Sequence, residues 1–171
     1  MAGVFKNVSL VQSDFPVTIG ILYVGEPQIR KLIRQLIGMN IDAEIYLYSN
    51  YKNSEAHEKL YRQFNNLKQN LRIKLDADMT VSSQKKFLEA IAHGRELTDH
   101  CNIYRVKDYF TNSLINGVHF YASEFIIDTE SIDFNSPFVD QFKCSNINYY
   151  SDAFINHGED YTLEQRKDFI I

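Results

Sequence analysis

The chain has 171 residues, a net charge of -4 and a pI near 5.7, with 44% hydrophobic and 23% charged residues, which is the composition of one soluble globular domain. The acidic balance and the lack of a basic cluster argue against a nucleic-acid partner, and no apolar run is long enough to predict a transmembrane segment. Two cysteines without C-x-x-C spacing suit a reducing compartment, and the first residues lack the plan of a signal peptide. We therefore expect a cytoplasmic protein that reaches a membrane surface, if at all, through a partner or its substrate.

The first half of the sequence alternates short apolar runs with segments of helical periodicity. The predicted strands are Val17–Tyr23, Ala43–Tyr48 and Leu71–Leu75, which are short and rich in β-branched and aliphatic residues. The predicted helices begin near Pro27, near Asn53 or Ser54, and near Ser82 or Ser83. The apolar residues expected to face inward from them are Ile29, Leu36, Leu60, Phe64, Phe87, Leu88 and Ile91. Three strand–helix units in succession predict an α/β fold with a mostly parallel sheet and helices on both faces.

The second half is less regular. Gly117–Tyr121 is predicted as a strand preceded by a turn at 112–116, the polar stretch 131–137 as a loop, and 147–155 as one further strand. The order of these strands cannot be assigned from the pattern alone.

An acidic pair follows the third predicted strand. Asp76 and Asp78 are separated by Ala77, a small residue that lets the backbone turn close to a ligand. Ligands of such sheets bind beyond the carboxyl ends of the strands. Carboxylates are the ligands that Mg²⁺ and Mn²⁺ prefer, and such ions keep coordination sites for substrate phosphates. The pattern predicts a divalent-metal site, although two solvated acids would produce the same pattern.

Three segments together resemble a known family. They are Val17–Leu22 with the following helix at 26–38, the acidic motif Leu75–Met79, and Phe154–His157, which is similar to a late strand that delivers a histidine to the metal. Over about Val17 to Phe169 the chain resembles glycosyltransferase family 2, with its GT-A fold. One strand–helix unit of that fold is missing or merged here, so the resemblance implies a shortened GT-A-like, Rossmann-like domain, with a nucleotide-binding half at about 15–95 and an acceptor-side half at about 96–171.

The resemblance also implies an activity. Family members move a sugar from a nucleotide-diphosphate donor to an acceptor hydroxyl, with Mn²⁺ or Mg²⁺ and, in this expectation, with inversion. Asp78 would bind the metal directly, Asp76 would lie nearer the ribose or a metal-bound water, and His157 would be the third ligand. The expected partners are a UDP- or GDP-type sugar and a glycan, lipid-linked or protein acceptor.

The resemblance is weaker for the nucleotide-binding residues and for the catalytic general base. Family members often carry a carboxylate after the second strand, where this chain has Ser49 and Asn50, which can hydrogen-bond a nucleobase. The expected nucleotide-binding residues are Tyr23, Ser49, Asn50, Lys52 and Asp76. A general base must take the proton of the acceptor hydroxyl. The candidates for it are Asp108, Asp128, Asp133 and Asp140, of which we favour Asp140 because it precedes the last strand, as the family's base does.

Two other interpretations use the same residues. The run Asp76–Thr80 also fits the Asp-x-Asp-x-Thr start of haloacid-dehalogenase-like phosphatases, in which Asp76 would be the nucleophile and Asp78 the general acid. The shortened chain could alternatively be an inactive domain of the same fold that binds a nucleotide sugar or a partner without turnover.

Overall fold

A computed structural model describes residues 4–7, 17–49, 53–67, 70–135, 147–151 and 153–169. Its strands are β1 (Val4–Asn7), β2 (Val17–Tyr23), β3 (Ala43–Ser49), β4 (Arg72–Asp76), β5 (Met79–Val81), β6 (Cys101–Asp108), β7 (Ser113–Tyr121), β8 (Ile147–Tyr150) and β9 (Ile155–His157). Its helices are α1 (Ile29–Gly38), α2 (Asn53–Asn65), α3 (Gln84–Glu96) and α4 (Leu163–Phe169). None of these helices is both long and apolar enough to cross a lipid bilayer.

Within the described residues the strands form one mixed sheet, in the order β1-β3-β2-β4-β7-β6-β9-β5, with β8 also paired to β6. The pairs of β2 with β3 and β4, and of β6 with β8 and β9, are parallel, whereas the other pairs are antiparallel. The described sheet is therefore mixed instead of mostly parallel, and the second half departs from the prediction most clearly. There β6 and β7 are joined by a four-residue turn, and so short a connection can only join antiparallel strands.

Helices pack on both faces of the sheet, as the sequence predicts. Along β2, Ile19 and Ile21 lie in the core that also holds the buried faces of α1 and α3. Leu22 lies in a second core with α2, which contributes Leu60 and Phe64. Because successive side chains of a strand point to opposite faces, one strand contributes to both cores.

Gly20 marks the closest approach of α2 to the sheet. A Cβ atom at this position would lie 2.7 Å from Leu60 Cδ1 and 3.0 Å from Phe64 Cζ. Gly20→Ala is therefore expected to destabilise the fold by about 1–3 kcal/mol, the usual cost of overpacking a core. Gly38→Ala is the matched control, since nothing lies within 4 Å of its added Cβ and alanine is the better helix former. Urea unfolding of both variants measures the difference, and equal stabilities would contradict this packing.

The three strand–helix units of the first half are confirmed. Leu88 was expected to point inward but is 40% exposed, because Phe87 and Ile91 already cover the sheet side of α3. The predicted turn at 112–116 is wrong from Ser113 onward, since β7 begins there, and the segment 147–155 contributes to two strands instead of one. Residues 131–135 have no helix or strand, as expected, while 136 and 137 lie outside the described residues.

Candidate functional site

A cavity of about 540 Å³ opens beyond the carboxyl ends of β2 and β4. These strands run parallel and in register, with Leu22 opposite Asp76, and the amide of Ala77 donates to the Leu22 carbonyl at 2.9 Å. The lining residues are Leu22, Val24, Gly25, Glu26, Pro27, His57, Asp76, Asp78, Tyr161 and Gln165. The volume of this cavity is typical of a binding site for a small molecule.

The strand pairing brings His157 to the acidic motif. In β9, His157 pairs with Met79 of β5 on one side and with Asp108 of β6 on the other. Asp78 immediately precedes Met79, so its carboxylate reaches the same ring. Asp78, in the turn before β5, and His157, in β9, are thereby brought together although they are far apart in the sequence.

His157 contacts a carboxylate with each ring nitrogen. Its Nε2 lies 2.9 Å from Asp78 Oδ2, and its Nδ1 lies 2.6 Å from Asp108 Oδ1. The hydroxyl of Tyr161 donates to Asp78 Oδ2 and lies 3.2 Å from His157 Nε2. The cluster is largely buried, since the side chains of His157, Asp78 and Asp108 are 18%, 14% and 6% exposed.

The charges in this cluster stabilise each other. Burial alone would lower the pKa of His157, but Asp78 and then Asp108 outweigh burial and raise that pKa to about 9. Burial alone would raise the pKa of Asp78, but the hydrogen bond and charge of His157, with the hydroxyl of Tyr161, hold that pKa below its usual value. At neutral pH the histidine is thus a cation held between two carboxylates.

Further negative charge faces the cavity. Burial raises the pKa of Glu26, and the nearby charges of Asp78 and Asp76 raise it further. Asp76 Oδ1 is paired with the buried ammonium of Lys74 at 3.0 Å. Glu26, Asp76 and Asp78 therefore share a wall in which the like charges repel each other, an environment that favours binding of a cation.

The predicted nucleotide-binding residues are only partly brought together. Asp76 lines the cavity, whereas Tyr23 and Ser49 pair with each other at the same edge of the sheet but do not line it. Asn50 and Lys52 lie outside the described residues, as does Asp140, the predicted general base. The roles of all of these residues stay predictions.

The other candidate bases are described. Both oxygens of Asp108 are engaged, one by His157 and the other by Thr111, so this residue is poorly placed to accept a proton from a substrate. Asp128 and Asp133 are exposed, and their side chains accept hydrogen bonds from backbone amides two residues later.

Three residues of the site were not assigned to it from the sequence: Glu26, Tyr161 and, as a partner of the histidine, Asp108. Glu26 had a usable signal, because it lies in the Gly-Glu-Pro turn that follows the first predicted strand, and that turn must lie at the carboxyl edge. The positions of Tyr161 and Asp108 depend on β9 and β6, and the latter strand was not predicted.

The distance between the predicted metal ligands can be compared with the distance between neighbouring ligands of a metal ion. An octahedral ion with ligand distances of about 2.1 Å separates neighbouring ligand atoms by about 3 Å. The 2.9 Å between His157 Nε2 and Asp78 Oδ2 suits two such positions. Among the described residues, however, no group of three or more His, Cys, Asp or Glu side chains is arranged to hold an ion. His157 and Asp78 thus form a pair of adjacent possible metal ligands, and Asp76 lies on the same cavity wall.

One of three comparisons with known proteins found a similar protein. No family model matches the sequence, and no curated protein matches it. Among solved structures, a similar one is the glycosyltransferase involved in glycosylation of the major capsid of the chlorovirus PBCV-1. The match covers 90% of this chain and 98% of that one, with a TM-score of 0.50 and 13% identity. At this identity the likeness shows the fold alone, and the chain has a glycosyltransferase-like α/β fold.

Proposed function

We propose that the chain is a metal-dependent glycosyltransferase that uses a nucleotide-diphosphate sugar as donor. The observation that carries the proposal is the contact of His157 with Asp78 at the edge of a cavity beyond the carboxyl ends of β2 and β4. A glycosyltransferase-like fold supports it, because that fold places its ligand at the same edge of the sheet.

In this proposal Asp78 and His157 hold Mn²⁺ or Mg²⁺. Bound there, the ion would neutralise the diphosphate as it becomes the leaving group. Asp76, whose carboxylate is held by Lys74, would lie nearer the ribose or the ion's water. Tyr161 donates to the same Asp78 oxygen that His157 contacts, and Nε2 of His157 would have to lose its proton to bind the ion.

The proposed contacts with the nucleotide lie at the same edge of the sheet. Tyr23 and Ser49 at the edge, together with Asn50 and Lys52, which follow Ser49 in the sequence, would contact the base and the phosphates of a UDP- or GDP-type donor. The acceptor is a hydroxyl of a glycan, a lipid-linked sugar or a protein. Asp140 remains the proposed base for an inverting transfer.

Calorimetric titration of the protein with UDP and with GDP, each with and without MnCl₂, tests the proposal. We expect one nucleotide to bind, and to bind only when Mn²⁺ is present. Release of free sugar from the matching donor would then separate an enzyme from a binding domain of the same fold. Absence of binding by either nucleotide, together with hydrolysis of p-nitrophenyl phosphate, would overturn the proposal in favour of a phosphatase that uses Asp76.

A further inference from the structure

Asp108 is engaged on both of its carboxylate oxygens. Oδ1 lies 2.6 Å from His157 Nδ1, and Oδ2 accepts the amide of Thr111 at 2.7 Å and the hydroxyl of Thr111 at 2.5 Å. Asp108 is only 4% exposed and lies at the end of β6, where the chain turns toward β7. Each carboxylate oxygen thus has a protein partner, and little of the side chain is exposed to water.

The hydrogen bond between Asp108 and His157 fixes which ring nitrogen of His157 faces the cavity. The Asp108 side chain is a carboxylate at neutral pH, and its Oδ2 already accepts two hydrogen bonds from Thr111, so it has no proton to donate to the ring. Nδ1 must therefore carry a proton. Nε2 is then the nitrogen available to a ligand, and it points at Asp78.

We propose that Asp108 is a positioning residue that keeps His157 protonated on Nδ1 and directs Nε2 toward Asp78 and the bound cation. The inference deepens the proposed function and rests on it for the cation, whereas the state of the ring can be measured without any metal. Histidines that bind metals commonly donate their other N–H to a carboxylate, and loss of that partner costs about 10–100-fold in metal affinity.

An asparagine at position 108 would reverse the ring's protonation. The amide of Thr111 can only donate, so the asparagine must present its carbonyl oxygen there and turn its NH₂ group toward His157. Nδ1 would then have to accept a hydrogen bond, and the ring proton would move to Nε2. In the wild type the Nε2 proton can leave when an ion binds because Nδ1 keeps its own proton, whereas in the variant the Nε2 proton is the ring's only one, so this nearly isosteric change would weaken metal binding.

The test compares the wild type with Asp108→Asn, Thr111→Val and Asp128→Asn. Thr111→Val keeps the amide that orients residue 108, and Asp128→Asn makes the same chemical change on an exposed loop. Nitrogen-15 NMR of histidine-labelled, metal-free protein reports which ring nitrogen is protonated, with His157→Gln used to assign the signals. Titration with Mn²⁺ alone, followed by electron paramagnetic resonance, reports the affinity.

We expect a protonated Nδ1 in the wild type and an unprotonated Nδ1 in Asp108→Asn, with at least 10-fold weaker Mn²⁺ binding. The two controls should stay within about 3-fold of the wild type, far below that range. A folded Asp108→Asn variant that keeps Nδ1 protonated or keeps its affinity would overturn the inference. Should that variant fail to fold, an unprotonated Nδ1 in the wild type would overturn it as well. A wild type that binds no Mn²⁺ would instead overturn the proposed function, and the nitrogen shifts would still decide the role of Asp108.

Discussion

Replacing Asp78 with asparagine is expected to weaken Mn²⁺-dependent nucleotide binding by more than about 100-fold, because loss of even an outer partner of a metal ligand costs about 10–100-fold. Asp78 supplies the carboxylate oxygen that lies 2.9 Å from His157 Nε2 and accepts the hydroxyl of Tyr161. Asparagine preserves the shape but removes the negative charge that a divalent cation requires. Calorimetry with UDP or GDP in the presence of MnCl₂ measures the loss.

Asp128→Asn controls for the chemical change, because Asp128 is exposed and can cap the amide of Glu130 equally well as an asparagine. Its nucleotide affinity should equal that of the wild type. Thermal unfolding of both variants would separate loss of the site from loss of the fold. A folded Asp78→Asn protein with unchanged Mn²⁺-dependent affinity would mean that the ion binds elsewhere.

Replacing Arg72 with methionine is expected to lower the free energy of unfolding by about 3 kcal/mol, since each hydrogen bond to a charged group contributes about 1.5–3 kcal/mol. Arg72 is fully buried, and its guanidinium donates to the carbonyls of Phe64 at 2.6 Å and of Ala122 and Phe125 at 2.5 Å each. It thereby ties the end of α2 to the segment after β7.

Whether this substitution lowers or raises the free energy of unfolding depends on two opposing contributions. Burial lowers the pKa of Arg72 to about 10, as expected for a charged group whose removal from water costs free energy. Methionine would relieve that cost and fill most of the volume, but it would remove three short charged hydrogen bonds. We expect the hydrogen bonds to outweigh the relief. Arg62→Met is the control, because its bond to Glu58 is exposed and contributes at most about 0.5 kcal/mol. Equal urea midpoints for the two variants would contradict this account.

The fold of the first half could be predicted because its strands are continuous apolar runs and its helices have clear apolar faces. The second half could not, and β6 shows why. Its first four residues are all buried, so buried and exposed side chains do not alternate there, and its partner β7 carries one extra residue, Gly117, where the pairing shifts register. A bulge of this kind interrupts the two-residue period on which strand prediction depends. The three-residue strand β5 is too short to produce any period.

The same limit applies to the site. Asp76 and Asp78 could be identified locally, because an acidic pair after a buried strand lies at the carboxyl edge whatever the rest of the chain does. The contact of His157 with Asp78 is consistent with the family resemblance, but it is made through the pairing of β5 with β9. The contact with Asp108 needs the pairing of β9 with β6 as well, and no pattern in the sequence specifies which strands become neighbours.

The most direct test of the account is electron spin-echo spectroscopy of Mn²⁺ bound to the protein together with UDP or GDP, in the wild type and in His157→Gln. If Asp78 and His157 hold the cation, the wild-type spectrum will show coupling of the manganese to a histidine nitrogen, and the variant will lose it. Bound manganese without nitrogen coupling in the wild type, or with coupling that persists in the variant, would contradict the account.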